Sequence, residues 1–126
     1  MNDWNQTLYK AIQAGRRGRD VLLHYYGRLQ HIEHKFQAGL VSEADKESEK
    51  AIFDFLRAEF PDDQLIGEES TFDIAAVEES KTKGKWIVDP LDGTTNYVHG
   101  FPIFCVSIGY QWEGKMQIAV IDVPLL

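Results

Sequence analysis

The stretch "WIVDPLDGTTNYVHG", Trp86 to Gly100, decides how the rest of the chain is read. An apolar run suited to a strand delivers two aspartates, Asp89 and Asp92, followed at once by Gly93, Thr94, Thr95 and Asn96. Pro90 removes a main-chain donor and restricts Asp89 to extended conformations, so the strand is expected to end at Asp89. Asp92 and Gly93 favour a turn there. Thr94 to Tyr97 can then begin a short helix whose unpaired N–H groups face back into it. Carboxylates and amide donors are thereby expected to converge.

Two carboxylates about 4 Å apart at an effective dielectric near 20 repel by roughly 4 kcal/mol, so one takes up a proton or a cation sits between them. Oxygen-only donors select hard cations, Mg²⁺ first and Ca²⁺ or Mn²⁺ next. With amides beside it, such a centre suits phosphoryl transfer to metal-activated water. "IGEES" adds Glu68 at the end of another short strand, and adjacent strand ends can bring Glu68 to Asp89 and Asp92. Asp-Pro or Asp-Gly alone is an ordinary turn dipeptide. Their combination after one strand points to a metal and phosphate site.

Outward from that turn, apolar and small residues at Leu8, Ala11, Ile12, Gly15, Leu22 and Tyr25 share a helical stripe, which predicts a helix from Trp4 to Tyr26, ended near Gly27. Asp3 with Gln6 resembles a capping box. A second helix is expected from Ser42, its cap, to Pro61, with Ala44, Ala51, Ile52, Phe55 and Leu56 on one face. The charges of "EADKESEKA" read as an exposed face of that helix. "HIEHKFQAGLVSEAD" reads as an extended segment or loop, and His31 and His34 are assigned no role because no further His or Cys stands near them.

After Pro61 the pattern changes to short strands in "QLIGEES", "KWIVD", "FCVSIGYQW" and "KMQIAVIDV", the last two joined by a turn at Glu113 and Gly114, where Gly114 supplies the positive φ. Thr71 to Gly84 reads as a surface loop. The fold class is α/β in α+β order, two long helices followed by a mostly antiparallel sheet.

The chain has 126 residues, 44% of them hydrophobic, a single cysteine and a formal net charge of −7. One domain with a real core is expected from that length. The acidic balance argues against nucleic acid as a partner, while leaving room for a phosphorylated small molecule whose charge a bound cation offsets. Cys105 lies in an alternating apolar run, as expected of a buried inert thiol. No signal peptide or membrane-spanning run is visible, which makes the cytoplasm the expected compartment. "VIDVPLL" ends on two leucines without a polar tail, so either they tuck into the core or the polypeptide is part of something longer.

"WIVDPLDGTTNYVHGFPIFCVSIG" closely resembles the first signature of the inositol monophosphatase family of Mg²⁺-dependent, lithium-sensitive phosphatases. "IGEES" resembles that family's upstream glutamate motif, and "LVSEADKESE" the start of its second helix. The resemblance implies that Glu68 and Asp89 bind a first magnesium with the carbonyl of Leu91, and that Asp89 bridges to a second ion also held by Asp92. It implies that the amides of Gly93 and Thr94 receive the phosphate. Thr94, hydrogen-bonded to Asp45, would help Glu68 position the attacking water. The implied fold is a layered α/β sandwich, and the implied substrate is inositol phosphate, then a sugar bisphosphate, then a nucleotide bisphosphate.

Without the resemblance, Asp45 reads as a helix-dipole partner, Glu69 as a solvated acid and His99 as a surface residue. Gly39 and Ser42 stand where the family often has aspartate and threonine, and Lys35 resembles a family lysine one residue out of place. The family's second signature, a Trp-Asp stretch supplying another metal carboxylate, is absent from these residues. Residues 1–126 are therefore expected to be the N-terminal part of one such domain. Such a part would be weakly stable, associated with itself as a homo-oligomer, or inactive. Two rivals stand beside this reading: a haloacid-dehalogenase-type phosphatase, whose aspartates are two apart rather than three, and a catalytically silent binding or assembly module.

Overall fold

The computed structural model describes residues 2–35, 39–68 and 83–126. Helix α1 runs Trp4–Tyr25, and its cap is Asp3, whose carboxylate accepts from the Gln6 N–H at 3.1 Å. It ends just before Gly27, which adopts the left-handed φ of 76° that glycine tolerates. Helix α2 runs Glu43–Glu59, opened by a capping box between Ser42 and Asp45. The helices approach closely where α1 carries small residues: a Cβ on Gly18 would stand 2.7 Å from Ile52 Cδ1 and 2.8 Å from Ser48 Oγ. Between them lies an antiparallel pair, β1 (Ile32–Lys35) and β2 (Gly39–Ser42), in the segment whose mixed polarity left strand and loop both open.

The main sheet has four strands in chain order: β3 (Gln64–Gly67), β4 (Gly84–Asp92), β5 (Cys105–Trp112) and β6 (Lys115–Asp122). β3 and β4 are parallel and the other pairs antiparallel, which agrees with the mostly antiparallel sheet expected. The β5–β6 turn uses positive φ at both positions, 49° at Glu113 and 82° at Gly114, as a hairpin matched to strand twist requires. α1 packs against β5 and β6, and α2 against β4. Their apolar stripes meet Trp86, Val88, Val106, Ile108 and Tyr110, all buried, on one face of the sheet. On the opposite face Ile87 and Ile121 are exposed.

β4 does not end at Asp89 as expected but continues to Asp92. Its ladder with β5 pairs Asp89 with Ser107 and Asp92 with Cys105, so three steps on β4 match two on β5. That extra residue is a β-bulge. Pro90 causes no loss of pairing because the ladder is interrupted where its missing donor falls. The bulge also shifts the side-chain alternation: Pro90 and Leu91 are both buried, and Asp92 returns to the face that Asp89 occupies.

Leu125 and Leu126 are exposed, so they do not tuck into the core. Gly84, expected in a loop, opens β4 and is buried, while residues 71–82 of that expected loop lie outside the described residues. Among the described residues no helix is long and apolar enough to cross a membrane.

Candidate active site

Four pieces of chain meet around the bulge of β4: the N-terminal half of α2, the end of β3, the bulge itself, and a short helix α3, Thr94–Val98. Asp45, in the first turn of α2, is 3% exposed. Its Oδ2 accepts from the Ser42 N–H at 2.8 Å and the Ser42 hydroxyl at 2.7 Å. Its Oδ1 lies 2.9 Å from Thr94 Oγ1, which is also 3.2 Å from the carbonyl oxygen of Leu91. A hydroxyl has one proton, and the nearer, charged acceptor takes it. The oxygen of Thr94 is then held with its lone pairs turned away from Asp45.

Glu68 and Asp89 follow the last parallel pair of β3 and β4, Gly67 with Val88, which sets their carboxyl groups beside each other. Burial, the contact with Glu68 and the charges of Glu68 and Asp92 push the Asp89 carboxyl up to about 7, although the Leu91 N–H, 3.3 Å from Asp89 Oδ1, pulls the other way. Asp89 therefore carries a proton below neutrality. Asp92 is exposed on the same face, with the Cys105 thiol 3.9 Å from its Oδ2. Cys105 is half-buried rather than a core residue, and burial together with Asp92 and Asp89 raises its pKa, which keeps the thiol protonated and unreactive.

Gly93 caps α3 in the left-handed region, at φ 92°. A Cβ there would stand 3.1 Å from the Ile103 carbonyl oxygen, so this turn requires glycine twice over. The first-turn amides of α3 have no partner within the helix. Beside them a concavity of about 390 Å³ is lined by Asp92, Gly93, Asn96, Ile103, Phe104 and Cys105. Asn96 donates to the Ile103 carbonyl at 2.9 Å, and His99 Nδ1 lies 2.8 Å from the Thr95 carbonyl, so both serve the turn itself.

The structure thus gathers Asp45, Glu68, Asp89, Leu91, Asp92, Gly93 and Thr94 around one strand end. Among the described residues no three His, Cys, Asp or Glu side chains group tightly enough to hold a metal ion by themselves. What is present is an all-oxygen set led by a carboxyl pair. This fits Mg²⁺, which keeps waters and takes few protein carboxylates. Glu69 lies outside the described residues, as does the link between β1 and β2.

Ser48 and Glu49 were not anticipated. Both are buried, Ser48 donating its hydroxyl to the Pro90 carbonyl at 2.9 Å, whereas "EADKESEKA" reads as an exposed face. Lys46, Glu47 and Lys50 do face solvent. The available signal is spacing, since Ser48 lies one turn from both Ala44 and Ile52 on the buried stripe.

The inositol monophosphatase family model matches residues 3–126. The chain belongs to the inositol monophosphatase family. Inositol monophosphatase 2 of Solanum lycopersicum is 44% identical over 116 residues, covering 92% of this chain and 44% of that protein. The Thermotoga maritima IMPase structure superposes with a TM-score of 0.84 at 33% identity, covering 95% of this chain and 45% of that one. An IMPase/NADP phosphatase solved with Mg²⁺ and phosphate is 26% identical, with a TM-score of 0.79 over 96% of this chain and 45% of its own. The chain spans less than half the length of these relatives. The layered α/β fold expected of the family is the fold observed.

Proposed function

We propose that this chain carries the N-terminal share of the active site of a Mg²⁺-dependent phosphomonoesterase acting on inositol phosphate or a related polyol or sugar phosphate. One observation carries the reading: the pairs Glu68–Asp89 and Asp45–Thr94, from four separate elements, meet at a single bulged strand end. The Mg²⁺ and phosphate of the IMPase/NADP phosphatase relative support the choice of ion and of substrate group.

Glu68, Asp89, the carbonyl of Leu91 and Asp92 would hold the magnesium. When bound, the ion would polarise the phosphoryl oxygens and make a bound water more acidic. A divalent charge would favour the ionised form of Asp89, which burial and the neighbouring Glu68 disfavour. The amides of Gly93 and Thr94 would receive the phosphate, in the left-handed turn that lets the main chain come close. Thr94, its proton committed to Asp45, offers lone pairs to a water proton, and Glu68 orients the same water in line with the phosphorus. Attack is direct, with no covalent enzyme intermediate.

Hydrolysis of inositol phosphate with added Mg²⁺, by the protein that contains this chain, tests the proposal. Asp89→Asn is expected to remove most of the turnover, and undiminished turnover in that variant would refute the assignment.

A further inference from the structure

We infer that Ser48 and Glu49 are positioning residues, fixing Asp89 and Glu68 through the main chain of Pro90 and Gly67. The inference rests on the reading of Asp89 and Glu68 as ion ligands. The bulge takes residues 90 and 91 out of the β4–β5 ladder, so the sheet does not set the orientation of the peptide joining them. That peptide is instead held at both ends. Its carbonyl, on Pro90, accepts from the Ser48 hydroxyl at 2.9 Å, and its N–H, on Leu91, donates to Asp89 Oδ1 at 3.3 Å. A peptide group is planar, so the hydroxyl that fixes the carbonyl also fixes the direction of the N–H and with it the Asp89 carboxyl.

Glu49 acts at the neighbouring strand end. It is 6% exposed, and a Cβ on Gly67 would stand 2.4 Å from its Oε2 and 2.8 Å from Phe53 Cζ. The carboxyl group therefore lies close against the main chain immediately before Glu68, in space that only glycine at position 67 leaves. Asp45, Ser48 and Glu49 occupy one face of α2 at helical spacing, and they reach Thr94, Pro90 and Gly67 respectively. One rigid helix thus sets three pieces of the site against each other.

The test is Mn²⁺ binding to the 126-residue chain, read from the electron paramagnetic resonance signal of the free ion, with thermal midpoints measured alongside. Ser48→Ala and Glu49→Ala are expected to weaken binding about tenfold, as groups that orient ligands do. Glu49→Gln, which keeps the shape against Gly67, is expected to retain most of the affinity. Ile52→Val, one turn further along the helix, controls for stability: it is expected to lower the midpoint without changing affinity. Unchanged affinity in both alanine variants, equal loss in Ile52→Val, or a glutamine variant as weak as the alanine one would overturn the inference.

Carboxyl ¹³C resonances of the metal-free chain give a second reading that needs no ion. Ser48→Ala should move the Asp89 signal and Glu49→Ala the Glu68 signal, and unmoved signals would overturn the inference. A parent chain that binds no Mn²⁺ refutes the ligand reading, and the resonances then decide the positioning claim separately.

Discussion

Asp89 and Asp92 lie on the same face of one strand although they are three positions apart, because the extra residue of the bulge restores the alternation that an odd spacing breaks. A regular strand would send them to opposite faces. The spacing that distinguishes this motif from a two-apart aspartate pair is thus a property of the sheet. It brings Asp92 near enough for its charge to act on Asp89.

The first consequence is a pH dependence of stability. The Asp89 carboxyl is raised to about 7 in the folded chain, chiefly by burial and then by Glu68. The folded state therefore holds a proton that the unfolded chain releases at ordinary carboxylate pH. The stability this contributes is fully present below about pH 4 and is lost as pH rises through about 7. In metal-free solution the part of the thermal midpoint due to Asp89 should fall across that window, and Asp89→Asn should remove it. A wild-type and a variant profile of identical slope would contradict the Glu68–Asp89 contact.

The Thr94 hydroxyl is the partner of a buried carboxylate oxygen. Thr94→Ala leaves Asp45 Oδ1 short of one donor and is expected to cost about 1–3 kcal/mol in chemical denaturation. Thr94→Ser keeps the hydroxyl and should recover most of that. A serine variant as unstable as the alanine one would assign the loss to the methyl group instead.

Gly93→Ala combines a left-handed φ of 92° with a carbonyl oxygen 3.1 Å from the new Cβ. A loss of at least about 1–2 kcal/mol is expected from the conformation alone. At Gly27, where φ is 76° but nothing stands within 4 Å, alanine should cost less. Denaturant midpoints of the two variants compare them directly, and equal losses would show that the Ile103 carbonyl does not constrain the turn.

Much of this was legible in the sequence. The stripe from Ala11 to Leu22 gave α1, and Ser42 and Pro61 bracketed α2. The strand residues alternated as a half-buried sheet should. The bulge was not legible, because Pro90 argues locally for an ended strand and only pairing with β5 reveals continuation to Asp92. Cys105 is half-buried where its alternating run suggests a core position, because alternation does not say which face the helices cover. Ser48 and Glu49 were hidden among true surface charges, since burial of a polar side chain depends on partners such as Pro90 and Gly67 that lie far along the chain.

The most direct measurement is calorimetric titration of Mg²⁺ into the 126-residue chain and its Asp89→Asn variant, at pH 6 in two buffers of different ionisation heat. Weak binding that releases protons below neutral pH, and that disappears in the variant, is the expected result. Binding of equal strength in both chains, or no binding by the parent at millimolar Mg²⁺, would contradict the assignment of this strand end as a magnesium site.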